Sequence, residues 1–409
     1  MYFLGMAKRA LIFSFVYYPR FIGGAEVAIK EITDRISPQD FTFDLIALRL
    51  DSSLPRIEKI GNVTVHRVGF ATNHKASPDS LPWYLHLLKF AYPLLALQKA
   101  TSLHKKNHFD FMWAMMANYS GFGALFFKLF HSDVPFLLTL QEGDPIDYIK
   151  QRTRFVSPLF RRIFTSADLV QAISYYLGDF AKDMGYEGVV EVVPNAVNTK
   201  FFSTKPDPDT LDKIKTKLGK KKEDVFLITT SRLVVKNAVN DIISSLSFLP
   251  NNVKFLVLGQ GYEESRLRTL AKDLGVEHRV QFLGFVPHAE MPLYLHASDI
   301  FIRPSISEGF GNSFVEAMAA SIPVIATPVG GIVDFLFDPD QNQGQASTGL
   351  FCEVQNPESI ARQVRRLLEN PALRENIVIN AKTMVFEKYD WNQIADTMQK
   401  DVFSVVANT

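Results

Sequence analysis

Short apolar runs alternate along the chain with longer stretches whose apolar residues recur every three to four positions. Residues 9–15 (RALIFSF) read as a buried strand, and Ala25, Ala28, Ile29, Ile32 and Ile36 follow at helical spacing. Strand-like runs recur at Phe41–Leu48, 63–67, 109–115, 135–140, 169–173 and 189–193, with helical stretches between most of them. Residues 194–209 (PNAVNTKFFSTKPDPD) break the pattern with Pro, Asn and Asp and read as a linker. The pattern then restarts. Strands are expected at Val225–Thr230, Val253–Leu258, 280–283, 300–302 and Val324–Ala326, and helices at 240–248, 262–274, 358–369 and 391–406. Strand and helix in alternation predict an α/β protein, with parallel, doubly wound sheets covered by helices on both faces. There is no short-period repeat and no low-complexity segment.

A chain of 409 residues fits two domains of about 150–200 residues each. Its 47% hydrophobic content suffices for two cores. The 44 basic and 43 acidic residues leave no excess charge to neutralise a phosphate backbone, so no nucleic-acid partner is expected. The single cysteine, Cys352, excludes an intrachain disulfide and suits a reducing, cytoplasmic setting. The apolar start, from Met1 to Met6, is too short for a signal-peptide core. No run approaches the ~18–20 apolar residues of a membrane-spanning helix. Two aromatic-rich segments, 83–100 and 122–130, carry Lys89, Lys99 and Lys128 and admit two readings. They are core helices, or they lie in a membrane interface as a peripheral contact at its inner face.

In the second half, polar or Gly-rich loops follow the strands directly. Arg232 and Lys236 follow the first, Gly259-Gln260-Gly261 the second and Phe285-Val286-Pro287 the third. Glu308-Gly309-Phe310-Gly311-Asn312 follows the fourth and Gly330-Gly331 the fifth. Ligands of open parallel sheets bind outside the carboxyl ends of strands, so these loops predict one ligand crevice. Each loop alone is also an ordinary connector. Arg232 and Lys236 fit a diphosphate leaving group, on which negative charge grows as its bond to carbon breaks. The plain alternative is two solvated surface charges. A helix starting near Ser313 would aim amides from Gly311 to Ser313 at a phosphate and place Glu316 about one turn in. Ser313-Phe314-Val315-Glu316 also reads as a capping box, in which Glu316 is structural. Glu308 has no such alternative. Two carboxylates would suit a glycosidase, but glycoside hydrolysis has no phosphate to hold. Neither Gly259-x-Gly261 nor Gly309-x-Gly311 completes a dinucleotide fingerprint. Asp207-Pro208-Asp209 and Asp338-Pro339-Asp340 have a D-x-D form in turn-like contexts, and His104 with His108 lacks a third ligand, so no metal is expected. After the strand at 135–140, Gln141, Glu142 and Asp144 should open at a carboxyl edge rather than turn inward.

Five segments together resemble glycosyltransferase family 4. They are 231–237 (SRLVVKN), 258–261 (LGQG), 282–286 (FLGFV), 304–319 (PSISEGFGNSFVEAMA) and 323–331 (PVIATPVGG), with 194–198 (PNAVN) ahead of them. The resemblance implies a GT-B architecture of two Rossmann-like domains facing a central cleft. It implies an acceptor-side domain over 1–196, a donor-side domain over 197–386 and a last helix, 387–409, crossing back to the first domain. It further implies a nucleoside-diphosphate sugar as co-substrate, no other cofactor, transfer with retention and usually no metal. The acceptor would be a glycan, a lipid-linked sugar or a small molecule. Arg232 and Lys236 would hold the diphosphate. Glu308 would contact the transferred sugar, aided by amides from Gly309, Phe310, Gly311, Asn312 and Ser313, and Glu316 the ribose hydroxyls. Gly259, Phe285 and Val286 would line the donor. Gly23 and Gly24 would let backbone approach donor or acceptor. The sequence departs from the family in two ways. Ala196 and Ala238 stand where Gly is usual, and Gln141 to Asp144 occupy the place of a customary His. A positioning role then falls to Gln141, with Glu142 and Asp144 on the acceptor side. The alternative is a family member that binds a sugar nucleotide without transferring it.

Overall fold

The computed structural model describes residues 7–71 and 83–409, with side chains in the helix Trp83–Asn107 from Leu87 onward. The start, Met1 to Met6, and the side chains at 83–86 lie outside the described residues. The chain divides into two compact units, Met1–Asn195 with Trp391–Thr409, and Ala196–Asp390.

Among the described residues the first unit holds eight strands: β1 (Lys8–Phe13), β2 (Phe41–Leu48), β3 (Ile57–Ile60), β4 (Val63–Val68), β5 (Phe111–Met115), β6 (Phe136–Leu140), β7 (Leu169–Ala172) and β8 (Val190–Val192). Their order is β3-β4-β2-β1-β5-β6-β7-β8, parallel except where β3 returns antiparallel on β4. β1, β5 and β6 are apolar almost throughout and buried, as strands covered on both faces must be. β3 (IEKI) alternates exposed and half-buried positions at the sheet edge, and the apolar pattern does not reveal it. The last residues complete this core. Phe403 is fully buried, its ring 4.9 Å from that of Trp113 and 5.6–5.9 Å from those of Phe41, Phe43 and Phe111.

The second unit holds β9 (Val225–Thr230), β10 (Val253–Leu258), β11 (Val280–Gly284), β12 (Ile300–Arg303), β13 (Val324–Ala326) and β14 (Leu350–Phe351), all parallel, in the order β11-β10-β9-β12-β13-β14. In both sheets the chain winds outward in two directions from a central pair of strands. The reversals fall between β1 and β5 and between β9 and β12, and their carboxyl ends are where such sheets bind ligands.

The expected linker 194–209 is more structured than its composition suggests. Asn198 caps a short helix, Thr199–Ser203, and the Asp207 carboxylate accepts from the Thr210 amide to start Pro208–Lys217. Both ends of the second unit are pinned together. Val197 pairs with Asp390, and the Thr199 hydroxyl donates to the Asp390 carboxylate at 2.5 Å. Among the described residues no helix is long and apolar enough to cross a membrane.

Candidate functional site

The carboxyl ends of β9 and β12 carry a connected set of polar side chains and backbone bonds. Arg232 and Lys236 lie in the loop after β9. The Arg232 side chain is exposed, and Lys236 is half-buried. The loop is fixed through its backbone. The Asn237 amide group donates to the Arg232 carbonyl at 2.7 Å, and the Ile306 N–H donates to the Lys236 carbonyl at 2.7 Å. The second bond ties the loop after β9 to the loop after β12. Gly259, at φ +140°, lies against the same loop, and a Cβ on it would stand 1.9 Å from the Ser231 carbonyl oxygen. Gly259 is therefore required by close backbone packing within the unit. Gly330 meets the Glu308 carbonyl oxygen in the same way, at φ +54°.

Glu308 follows β12, and its side chain is turned inward beside the Arg303 guanidinium, with which it forms an ion pair. Arg303 also donates to the Ser313 hydroxyl at 2.8 Å and lies 3.4 Å from the Asn237 side-chain oxygen. Arg303 and Asn237 escaped the motif reading. The signal for Arg303 was a lone cation ending the apolar run Ile300-Phe301-Ile302.

The helix at this site is Asn312–Ala319, one residue longer at its start than expected, with Gly311 as N-cap in the left-handed region at φ +88°. Ser313 is then the second residue of the helix, not its cap, and its hydroxyl serves Arg303. The capping-box reading of Glu316 is not what forms. Glu316 instead meets His288, with its Oε1 3.3 Å from His288 Nε2. Phe310 is part of the core, its ring 5.0 Å from Phe335 and 5.6 Å from Tyr389, so only its backbone can face a ligand. Gly309 is buried and Asn312 half-buried. Phe285 is exposed and Val286 buried.

Three of the four aspartates in the D-x-D pairs have structural partners. Asp207 is a helix cap, the buried Asp338 accepts from the amides of Asp340 and Phe351, and Asp340 pairs with Arg366. Among the described residues no group of three or more His, Cys, Asp or Glu is arranged to hold a metal.

In the first unit, Gly23 caps the helix Gly24–Thr33, and its N–H donates to Glu26 at 2.8 Å. Both glycines are exposed, and a Cβ on Gly24 would meet nothing within 4 Å. The loop after β6 differs from expectation at Glu142, which does turn inward. It is buried and accepts from the Ala117 N–H at 2.7 Å. Burial without a cation raises its pKa to about 7. The reason is local. The Ala117 N–H, two residues beyond β5, is a donor that the Glu142 carboxylate satisfies. Gln141 exchanges two hydrogen bonds with Asn195, at 3.1 and 3.3 Å, and Asp144 is half-buried.

The aromatic segments divide between core and surface. Tyr92, Ala96, Ala124 and Phe127 are buried, whereas Phe90, Leu94, Leu129 and Phe130 are exposed.

The family model "Glycosyl transferases group 1" matches residues 210–384, and "Glycosyltransferase Family 4" matches 22–201. An uncharacterised glycosyltransferase of Methanocaldococcus jannaschii is 25% identical over 402 residues, spanning 93% of this chain and 94% of that protein. An alpha-monoglucosyldiacylglycerol synthase of Acholeplasma laidlawii is 25% identical over 223 residues, 53% of this chain and 54% of that protein. Among solved structures, Anabaena HepE in complex with UDP and glucose superposes with a TM-score of 0.75 at 19% identity, over 97% of this chain and 100% of that one. Sucrose-phosphate synthase from Thermosynechococcus elongatus superposes with a TM-score of 0.80 at 20% identity, over 98% and 100%. These likenesses establish a GT-B fold.

Proposed function

Since the chain belongs to glycosyltransferase family 4, within the group 1 glycosyltransferases, we propose that it moves a sugar from a nucleoside-diphosphate donor to an acceptor hydroxyl with retention at the anomeric carbon. The observation that carries this reading is the bond from Ile306 N–H to the Lys236 carbonyl. It holds the cationic loop of Arg232 and Lys236 next to the loop of Glu308, at the point where the strand order reverses. A diphosphate there meets two fixed cations and the start of the helix Asn312–Ala319, with the attached sugar toward Glu308. The bond from C1 to the phosphate oxygen breaks as the bond to the acceptor oxygen forms. The acceptor proton passes to the departing phosphate, so no enzyme base is needed, and Gln141 serves as a positioner. Glu316 receives the ribose hydroxyls, and Asp144 lies on the acceptor side.

Charge on the leaving group is met by side chains and amides, so a divalent metal is redundant. The acceptor is a glycan, a lipid-linked sugar or a small molecule. The alpha-monoglucosyldiacylglycerol synthase is a relative whose name carries a lipid. Exposed Phe90, Leu94 and Phe155, with exposed Lys150, Arg152, Arg154, Arg161 and Arg162, support contact with an anionic membrane surface on the cytoplasmic side.

The test uses a panel of UDP-, GDP- and ADP-sugars with and without chelator, and assigns the anomeric configuration of the transferred sugar by NMR. Retention that persists in chelator is expected. Inversion would overturn the mechanism, and activity restored only by added Mg²⁺ or Mn²⁺ would overturn the metal-free reading.

A further inference from the structure

We propose that Arg303 is a positioning residue for donor recognition, holding the Glu308 side chain oriented toward the sugar. This rests on the reading of Glu308 as the contact to the transferred sugar.

Arg303 closes β12 after three fully buried apolar residues, Ile300, Phe301 and Ile302. Its side chain is 12% exposed and that of Glu308 10%, so both charges have been taken out of water. Such burial costs desolvation of two ions, and an apolar pair of the same volume serves stability as well or better. The Arg303 Nε–H is moreover buried with no partner, an arrangement that a purely structural arginine avoids. Stability is therefore a poor explanation of the pair.

Its geometry suits a different role. The planar fork of Arg303 reaches three separate segments at once. Nη2 binds Glu308 and lies near Asn237 in the loop after β9, and Nη1 binds Ser313 at the helix start. The guanidinium carbon lies 5.4 Å from the centre of the Phe314 ring, which fixes its plane. Lysine cannot reproduce this fork. A carboxylate gripped by a guanidinium through one oxygen has the rotation of its other oxygen fixed as an acceptor. With Oε2 on the fork, Oε1 is the atom left to accept from a sugar hydroxyl. Arg303 thus governs how much the sugar adds to donor affinity and leaves the diphosphate contacts to Arg232 and Lys236.

The test is calorimetric. Wild type is titrated with UDP, GDP and ADP and with their glucose, mannose and N-acetylglucosamine conjugates. The pair with the largest gain from the sugar is carried forward to Arg303→Lys, Glu308→Gln, the double variant and Ser313→Ala. Arg303→Lys is expected to bind the bare diphosphate within twofold of wild type and the conjugate about tenfold more weakly. The double variant should be no worse than the weaker single, since both changes remove one arrangement. Ser313→Ala, which retains the ion pair, should lose part of the gain and keeps the test open if Arg303→Lys does not fold. Equal weakening of diphosphate and conjugate in Arg303→Lys would make Arg303 a phosphate ligand and overturn the proposal. So would an unchanged gain accompanied only by a lower Tm. If Glu308→Gln itself leaves the gain intact, the reading of Glu308 fails. If Glu308→Gln loses it and Arg303→Lys does not, only the role of Arg303 fails.

Discussion

Each unit places a glutamate in the loop beyond the carboxyl end of a strand, and the two are buried alike, Glu142 to 6% exposure and Glu308 to 7%. Glu308 has a guanidinium beside it. Glu142 has backbone N–H groups but no cation beside it, and its pKa rises to about 7. Burial is thus common to both, and the neighbouring cation is what differs. The second unit invests fixed charge at its strand ends. The first presents amides and a carboxyl that is half-protonated near neutrality.

The contrast breaks most visibly if charge in the second unit is dispensable. Removing one fixed donor from a charge-stabilising site typically lowers turnover by about 10²–10³, or ~3–4 kcal/mol. Arg232→Ala and Lys236→Ala are expected to fall in this range with an unchanged Tm. Near-normal turnover in both, measured as sugar transfer, would mean the leaving group is stabilised elsewhere.

The first unit offers a sharper test through pH. The Glu142 pKa is raised in the folded state, from an ordinary value near 4.5 to about 7. Its contribution to stability is therefore complete below the unfolded value and is lost as pH rises through about 7. Glu142→Gln mimics the neutral form. It should match wild type in denaturant unfolding near pH 4 and exceed it at pH 8 by about 1–3 kcal/mol. A wild type that gains on the variant as pH rises would show that the carboxylate is stabilised as an anion after all.

Glu316 tests whether a carboxylate of the second unit binds ligand. Since it does not cap its helix, Glu316→Gln should leave Tm nearly unchanged. Loss of a charged hydrogen bond to the ribose is expected to raise the donor KM about tenfold, equivalent to about 1.4 kcal/mol. An unchanged KM would reduce Glu316 to its contact with His288.

The smallest effect concerns Ala238, held at φ +50° where the family usually has Gly. Left-handed backbone costs an L-residue about 1–2 kcal/mol. Removing the buried methyl returns about 0.8 kcal/mol of that, and the freer unfolded chain offsets more. Ala238→Gly should therefore raise stability by less than about 1 kcal/mol. A loss of stability would mean the methyl's packing outweighs the strain. Ala196 has no positive φ, so the same substitution there brings no relief.

Twelve strands announce themselves by apolar runs because both faces of a parallel sheet are covered. β3 and the two-residue β14 do not, the first because its edge position allows polar residues and the second because it is too short for any period. The helix Pro371–Lys388 is also missing from the pattern, its buried residues being limited to Ile377, Ala381, Met384 and Val385. At the site, Gly259 and Gly330 were visible as glycines, but their reason, the carbonyls of Ser231 and Glu308, exists only in three dimensions. The inward turn of Glu142 depends on an N–H supplied by Ala117, 25 residues earlier. The hub formed by Arg303 joins residues 66 positions apart in the case of Asn237. Partners at such separations leave no local trace.

The burial of Phe403 sets an order on biosynthesis. The ribosome delivers the β9 to β14 segment whole before it delivers Phe403, and the sheet bearing Trp113, Phe41 and Phe111 lacks its apolar plug until then. Domains fold as units during synthesis, generally from the N-terminus. Here the later-made unit can close first, while the earlier one waits through about two hundred further residues with an open apolar socket. Nascent chains released before Phe403 should therefore be the form that chaperones hold and proteases clear.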